Sequence, residues 1–246
     1  MKPVLVGCSH GTDSDAGRAA IRAILAGVRA ARPDLDVREA FVDVQEPEVA
    51  DVVGAAVGAG LTAVVVPLFL SVGYHVRVDI AAAVANRPAV AVHPLGPDPR
   101  LVEVLLDRLA TAGARGDDAI VLAAAGSTDA RAAVAVTEIA TALDAAWGGG
   151  PITIGYGAGA SPRVPAALAT AREAGTERVV IAAYLLAPGF FHDRLLDVGA
   201  DVVTEPLAPD PRLVQIVLDR YAEGVAQLTA GAPAAGRPVA ASGPPA

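Results

Sequence analysis

Residues 95–108 (LGPDPRLVEVLLDR) return as residues 207–220 (LAPDPRLVQIVLDR), with ten of fourteen positions identical. Repetition on that scale marks an internal duplication. A chain of 246 residues is long enough for one large domain or two ordinary ones, and the duplication selects two similar halves. They meet near residues 115–117, which divides the chain into 1–115, 116–229 and a tail over 230–246. The tail (GAPAAGRPVAASGPPA from Gly231) is alanine, proline and glycine with almost no large apolar side chain. It cannot bury enough surface to offset the ordering of its backbone and is expected to be disordered.

Each half alternates strand and helix. Residues 3–8 (PVLVGC) read as a buried strand, and Asp13, Ser14 or Asp15 can cap a helix running to about Ala31. A second strand spans residues 37–44. Pro47 then opens a helix in the favoured first-turn position, which Gly60 ends. A central strand follows at Val64, with a helix over about 75–85, a strand over 89–94 and a helix over about 99–112. This is the pattern of a parallel sheet covered on both faces, so the expected class is α/β with two similar flavodoxin-like halves packed around a cleft.

Residues 64–79 (VVVPLFLSVGYHVRVD) concentrate the chemistry of the first half. Pro67 has no N–H to give a central ladder, so the chain should begin to leave the sheet there. After Ser71 and Gly73 comes His75, with Asp79 four residues on, sharing a helical face if a helix begins near Tyr74. An imidazole is thus brought to the carboxyl end of a central strand, where open α/β sheets bind ligands.

The second copy serves as an internal control, because residues needed only for folding should recur. At an offset of 115, Gly11, Thr12, Pro47 and Gly60 meet Gly126, Ser127, Pro162 and Gly175. His10 meets Ala125 and Asp43 meets Ala158. One inserted residue, expected near Pro188, shifts the register to 116, so that Gly73 meets Gly189, Tyr74 meets Phe190 and His75 meets Phe191. The glycines and prolines repeat; His10, Asp43 and His75 do not. Two imidazoles and a carboxylate at strand ends suit a divalent transition metal or general-base work. The alternative is three unrelated polar loop residues. His93 reads as a core or sheet-end residue. His192, one place beyond the counterpart of His75, lacks partners at 125 and 158 and is not expected to be catalytic.

Composition excludes several classes. One cysteine rules out internal disulfides and a cysteine-rich metal site, and Cys8 reads as a small buried hydrophobe. A net charge of −8 argues against nucleic acid. No apolar run reaches the roughly 18 residues of a membrane span, and the N-terminus lacks the pattern of a signal peptide. A cytoplasmic protein with no membrane partner is expected.

The strand followed by Ser9-His10-Gly11-Thr12, the Phe41-Val42-Asp43 strand end with Pro47, and Pro67-Leu68-Phe69-Leu70-Ser71-Val72-Gly73-Tyr74-His75 through Asp79-Ile80 together resemble the class II chelatases. Within these the chain is most similar to the sirohydrochlorin chelatases of siroheme and cobalamin synthesis, whose long members are tandem duplications. The resemblance implies insertion of Fe²⁺ or Co²⁺ into sirohydrochlorin without ATP, with no permanent cofactor; histidine and carboxylate ligands accept Ni²⁺ as well. Consistent with that, no GxxxxGK[ST] phosphate loop occurs. It carries the family's two histidines onto His10 and His75 as metal ligands and catalytic groups. Asp43 stands where some members have glutamate. A carboxylate-rich ring meeting an acidic chain needs local donors. Candidates are the backbone around Gly11, Thr12, Ser71 and Gly73, with Tyr74 and Arg77. The expected site lies in the first half, with a degenerate counterpart in the second and a monomer formed by the pairing of the two. A carrier that binds metal or tetrapyrrole without turnover is the alternative.

Overall fold

The computed structural model describes residues 2–73 and 76–231, with Arg77 given by its backbone alone. The first half runs β1 (Val4–Ser9), α1 (Asp15–Ala31), β2 (Val37–Phe41), α2 (Val49–Gly58), β3 (Ala63–Pro67), a π-helical turn (Val76–Ile80) leading into α3 (Ala81–Val84), β4 (Ala89–Ala91) and α4 (Pro99–Thr111). The second repeats it as β5 (Ala119–Ala124), α5 (Ala130–Trp147), β6 (Ile152–Tyr156), α6 (Val164–Glu173), β7 (Val179–Tyr184), α7 (Phe190–Leu196), β8 (Val202–Val203) and α8 (Pro211–Gly231). Each half forms a four-stranded sheet, ordered β2-β1-β3-β4 and β6-β5-β7-β8, and every pairing is parallel. The expected α/β class with two similar sheets is what the chain adopts.

Local signals act as read. Ser14 caps α1, its Oγ accepting from Gly17 N at 3.1 Å. The repeated Asp-Pro-Arg motif starts α4 and α8: Asp98 accepts from Arg100 N at 3.1 Å, and Asp210 from Arg212 N at 2.9 Å. A side-chain acceptor at the N-cap with proline next fits a helix start, since proline's missing N–H is not needed there.

The last helix of each half crosses to the other. α4 packs on β7 and α5, whereas α8 packs on α1, β3 and β4. Gly224 of α8 permits the close approach, because a methyl there would strike Val64 and come within 2.9 Å of Val92 Cγ1. The exchange is tied reciprocally. Arg108 donates to the carbonyls of Pro206 and Leu207 at 2.9 and 3.1 Å, and Arg220 to that of Pro94 at 3.1 Å. Arg100 pairs with Asp219 and Arg212 with Asp107, each at 2.6 Å. The exchange produces one central core shared by α1, α4, α5, α8 and the facing sides of both sheets. Smaller cores lie outside, under α2 and α3 in one half and under α6 and α7 in the other. Burying one Leu or Val of the central core is worth roughly 1.5–3 kcal/mol, and its fully buried members Leu5, Val64, Leu101, Ile120 and Leu213 come from both halves.

Four expectations are corrected. Pro47 does not open α2: Glu48 caps it and helix begins at Val49, because the Pro47 carbonyl accepts from Phe41 N at 3.0 Å and Glu48 bridges Phe41. The same bridge closes β2 at Phe41, short of Asp43. The extra residue of the second half does not lie near Pro188. Val4 pairs with Ala63 and Ala119 with Val179, so the register has already shifted to 116 at the start of β7. The insertion therefore lies in the turn at 176–178, between Gly175 and that strand. β4 ends at Ala91, which leaves His93 exposed beyond the strand rather than in a core.

Candidate active site between the halves

A cavity of about 780 Å³ opens at the carboxyl ends of both sheets. One wall carries Ser9, His10, Gly11, Thr12, Gln45, Ser71 and Gly73 of the first half. The other carries Ala124, Ala125, Ala158, Ala160, Ala187 and Phe190 of the second. The loops interlock: a Cβ on Gly17 would come within 2.5 Å of the Pro188 carbonyl, and one on Gly73 would sit 3.7 Å from Ser127 Oγ. Tyr184 donates from its hydroxyl to the Leu70 carbonyl at 3.0 Å, joining the second half to the segment that leads to Ser71. Burial pushes that phenol well above its ordinary value, with the charges of Asp98 and Glu138 adding to the effect.

His10 is the residue after β1 and is exposed. Gly11 follows at φ +91°, and a Cβ there would strike the Asp43 carbonyl oxygen. Only glycine lets the two strand ends approach this closely. The His10 carbonyl also accepts from Asp43 N at 3.1 Å. The backbone thus brings His10 and Asp43 side by side. The Asp43 carboxylate is exposed and accepts from its own neighbour, Val44 N, at 2.8 Å. Val44 and Gln45 line the cavity, and Asp43 is not among its lining residues.

Thr12 is committed within its own loop. Its N–H donates to Gln45 Oε1 at 2.9 Å, and its hydroxyl accepts from Ser14 N at 3.1 Å. Ser127 accepts from Asp129 N at 3.1 Å in the same way, so this hydroxyl shapes the turn in both halves. Ser71 and Gly73 stand on the cavity wall. Tyr74, His75 and the side chain of Arg77 lie outside the described residues. Among the described residues no three His, Cys, Asp or Glu side chains are grouped to hold a metal ion. Cys8 is fully buried, and burial together with the nearby charge of Asp79 pushes its thiol up to about 12. His192 is buried, its Nε2 donating to the Thr204 carbonyl at 3.0 Å.

Three further polar residues of the first half were given no site role by the sequence reading. Ser9 and Gln45 line the cavity, and Asp79 lies close enough to act on Cys8. Their counterparts at the registers of 115 and 116 are Ala124, Ala160 and Leu195. The signal that singled out His10 therefore covers them too.

Duplicated α/β halves around a cleft, with His10 on the wall of the first half and alanine at its counterpart in the second, are the architecture of a tandemly duplicated class II chelatase. The sequence matches the CbiX family over residues 4–112 and again over 119–224. The chain belongs to that family. It is 27% identical over 173 residues to the sirohydrochlorin ferrochelatase of Priestia megaterium, a match covering 66% of this chain and 65% of that one. The chain thus spans just under two thirds of that relative. Among solved structures, SirB from Bacillus subtilis with Fe³⁺ superposes with a TM-score of 0.77 at 21% identity, over 94% of this chain and 98% of that one. The cobalt complex of the SirB sirohydrochlorin chelatase from Bacillus subtilis subspecies spizizenii gives 0.76 at 21% identity over the same shares. CbiX, the terminal enzyme of siroheme biosynthesis in denitrifying bacteria, gives 0.64 at 22% identity, over 89% of this chain and 98% of that one. No helix among the described residues is long and apolar enough to cross a membrane.

Proposed function

We propose that this chain inserts a divalent metal ion, Fe²⁺ or Co²⁺, into sirohydrochlorin without ATP, as a cytoplasmic monomer with no resident cofactor. The observation that carries the reading is the cavity itself: about 780 Å³, at the carboxyl ends of both sheets, with His10 on its wall. That volume lies within the range of small-molecule sites. The nature of the SirB and CbiX relatives supports the choice of substrate.

The reaction exchanges two pyrrole N–H protons for one M²⁺, so each turnover releases two protons. In this reading the site lies in residues 1–115, and the half over 116–229 carries its degenerate counterpart. His10 and His75 hold the incoming metal through neutral imidazole nitrogens and take up the departing protons. Asp43, tied to His10 through the backbone and exposed, receives a proton in turn and releases it to solvent. The duplicate supports pairing the two histidines. Their counterparts are Ala125 and Phe191, and a Cβ on Gly157 would come within 2.8 Å of Phe191 Cδ1 and 3.3 Å of the Ala125 carbonyl. Gly11, Thr12, Ser71, Gly73, Tyr74 and Arg77 form the substrate's surroundings on this side.

The test is anaerobic metallation of sirohydrochlorin, followed by the change in ring absorbance with Fe²⁺ and with Co²⁺. Many rings metallated per chain is the expected result. Metallation that stops at one ring per chain overturns it in favour of a carrier. Comparing the two ions then assigns the metal.

A further inference from the structure

The second half lacks the polar set, but its side of the cleft carries features of its own. Phe190 and Phe191 occupy the positions of Tyr74 and His75. Phe190 is 66% exposed and lines the cavity. Phe191 meets it edge to face, with centroids 5.4 Å apart and planes at 76°. Arg194, one helical turn on, lays its guanidinium over the Phe190 ring, 5.4 Å from the centroid. Behind Phe191 lies a second cavity of about 580 Å³, sharing Tyr156 and Phe191 with the first and lined by Arg163, Arg194 and Asp197.

The two arginines stand apart from those that hold the fold. Arg100, Arg108, Arg212 and Arg220 each bond a carboxylate or carbonyl of the opposite half. The guanidinium groups of Arg163 and Arg194 have no hydrogen-bond or ion-pair partner among the described residues. The first-half positions equivalent to them hold Glu48 and Val78. Among the described side chains, free positive charge beside the cleft is therefore found in the second half. It sits in a chain of net charge −8, which would otherwise repel a polycarboxylate.

We propose that the second half is the docking face for the tetrapyrrole, with Phe190 stacking on the planar ring and Arg163 and Arg194 holding carboxylate arms that reach past Phe191 into the second cavity. This rests on the function proposed above and adds which wall receives the ring. An exposed aromatic ring offers a flat face to a conjugated macrocycle. Guanidinium groups match carboxylates in a planar, two-point geometry, and two of them outweigh the single Asp197 carboxylate. The polar wall is then left to the metal and the protons.

The experiment measures binding of metal-free sirohydrochlorin, and of its fully esterified methyl ester, to the full chain by quenching of ring fluorescence. Steady-state metallation is recorded alongside. All three positions are exposed, so the variants keep the fold, as circular dichroism will show. The double variant Arg163→Gln/Arg194→Gln should weaken binding of the acid about ten-fold, the sum expected of two exposed ion pairs. It should leave binding of the uncharged ester within about two-fold. Phe190→Ala should weaken both ligands about five-fold, as the loss of one aromatic contact does. The KM for metal should not move in any variant. If the unaltered chain metallates the ring but the double variant binds the acid as tightly, the inference falls alone. Equal losses for acid and ester also overturn the role of the arginine charges. An unaltered chain that neither binds nor metallates the ring overturns the proposed function together with the docking face.

Discussion

The two halves share a skeleton and differ in what they place on it. Gly11 and Gly126 take the same left-handed backbone, at φ +91° and +89°, against the carbonyls of Asp43 and Ala158. The Glu46-Pro47 and Ser161-Pro162 bonds are both cis. Asp98 and Asp210 cap exchanged helices whose arginines reach carboxylates in the opposite half. At the strand ends the likeness stops. The first half presents Ser9, His10, Asp43, Gln45, Ser71 and His75. The second presents Ala124, Ala125, Ala158, Ala160, Ala187 and Phe191. The shared positions set backbone geometry and helix docking, and those demands are the same in each half. Among the described unshared residues, Ser9, His10, Gln45 and Ser71 line the cavity from one side and Ala124, Ala125, Ala158, Ala160, Ala187 and Phe191 from the other.

The largest effect is expected at the unshared histidines. His10→Ala gives the first half what the second already has at Ala125, and His75→Phe gives it the equivalent of Phe191. Both variants should fold, and metallation should drop on the order of 10²-fold or more, as when one member of a cooperating site is removed. His192→Ala is the contrasting case. His192 is buried and bonds the Thr204 carbonyl, so its loss should lower the melting temperature while the folded variant still turns over. Steady-state rates and thermal melts on the three variants check this. A dead His192→Ala enzyme beside an active His10→Ala enzyme would move the reaction to the other half.

That contrast was legible in the residues because a duplication can be aligned to itself. It gave both sheets and the polar strand ends, while local chemistry placed the α1 cap among Asp13, Ser14 and Asp15 and the end of β3 at Pro67. Geometry across the chain was not legible. The exchange of α4 and α8 leaves no mark on periodicity, since an amphipathic helix buries the same stripe against either sheet. The turn at 176–178 was misplaced because glycine and proline matches on both sides allow either register. Pro47 misled in another way: a proline two residues before a helix looks the same in sequence as one inside its first turn. Tyr184, which bonds Leu70 across the cleft, aligns with an apolar Leu68 and gave no polar signal.

The interlock should be symmetric where the site is not. Burial pulls the Asp98 and Asp210 carboxyls up. Bonds from Arg100 and Arg212, with the charges of Arg220 and Arg108, outweigh it, so both lie below the ordinary carboxylate value. A carboxyl depressed by folding adds stability that is fully present above its unfolded value of about 3.9 and is lost as pH falls through the folded one. Asp98→Asn and Asp210→Asn should each cost about 2 kcal/mol at pH 7 and agree within about 1 kcal/mol. The gap to the unaltered chain should narrow below about pH 4. Denaturant melts between pH 7 and 3 test this. A gap that stays constant with pH would remove the ionised carboxylates from the interlock, and a cost confined to one variant would break the symmetry.

A smaller effect is expected at Tyr184, where the halves touch across the site. Tyr184→Phe keeps the packing and removes one buried hydroxyl, leaving the Leu70 carbonyl without that donor. The loss should be about 1–2 kcal/mol of stability. Because Leu70 leads to Ser71, turnover should fall a few-fold while the pH profile of the rate is unchanged. A shifted pH profile would mean that the phenol takes part in proton transfer instead of positioning the segment.

The smallest effect should be at Cys8, which is unshared like the histidines yet stands outside the chemistry. Its counterpart is Ala123, one place before Ala124 on the central strand of the second sheet. Its side chain is fully buried in the smaller core under α2 and α3. With the thiol pushed up to about 12, first by burial and then by the Asp79 charge, almost no thiolate exists near neutral pH, and a thiol neither ligates a metal nor attacks an alkylating agent readily. Cys8→Ala should therefore leave metallation within about two-fold and cost about 1 kcal/mol, the scale of removing one small buried atom. In the native chain at pH 8, iodoacetamide should not label Cys8 until denaturant is added. Rapid labelling of the folded protein, or loss of metallation in Cys8→Ala, would place a soft sulfur ligand at the end of β1. The rule that separates the halves would then have to include it beside His10.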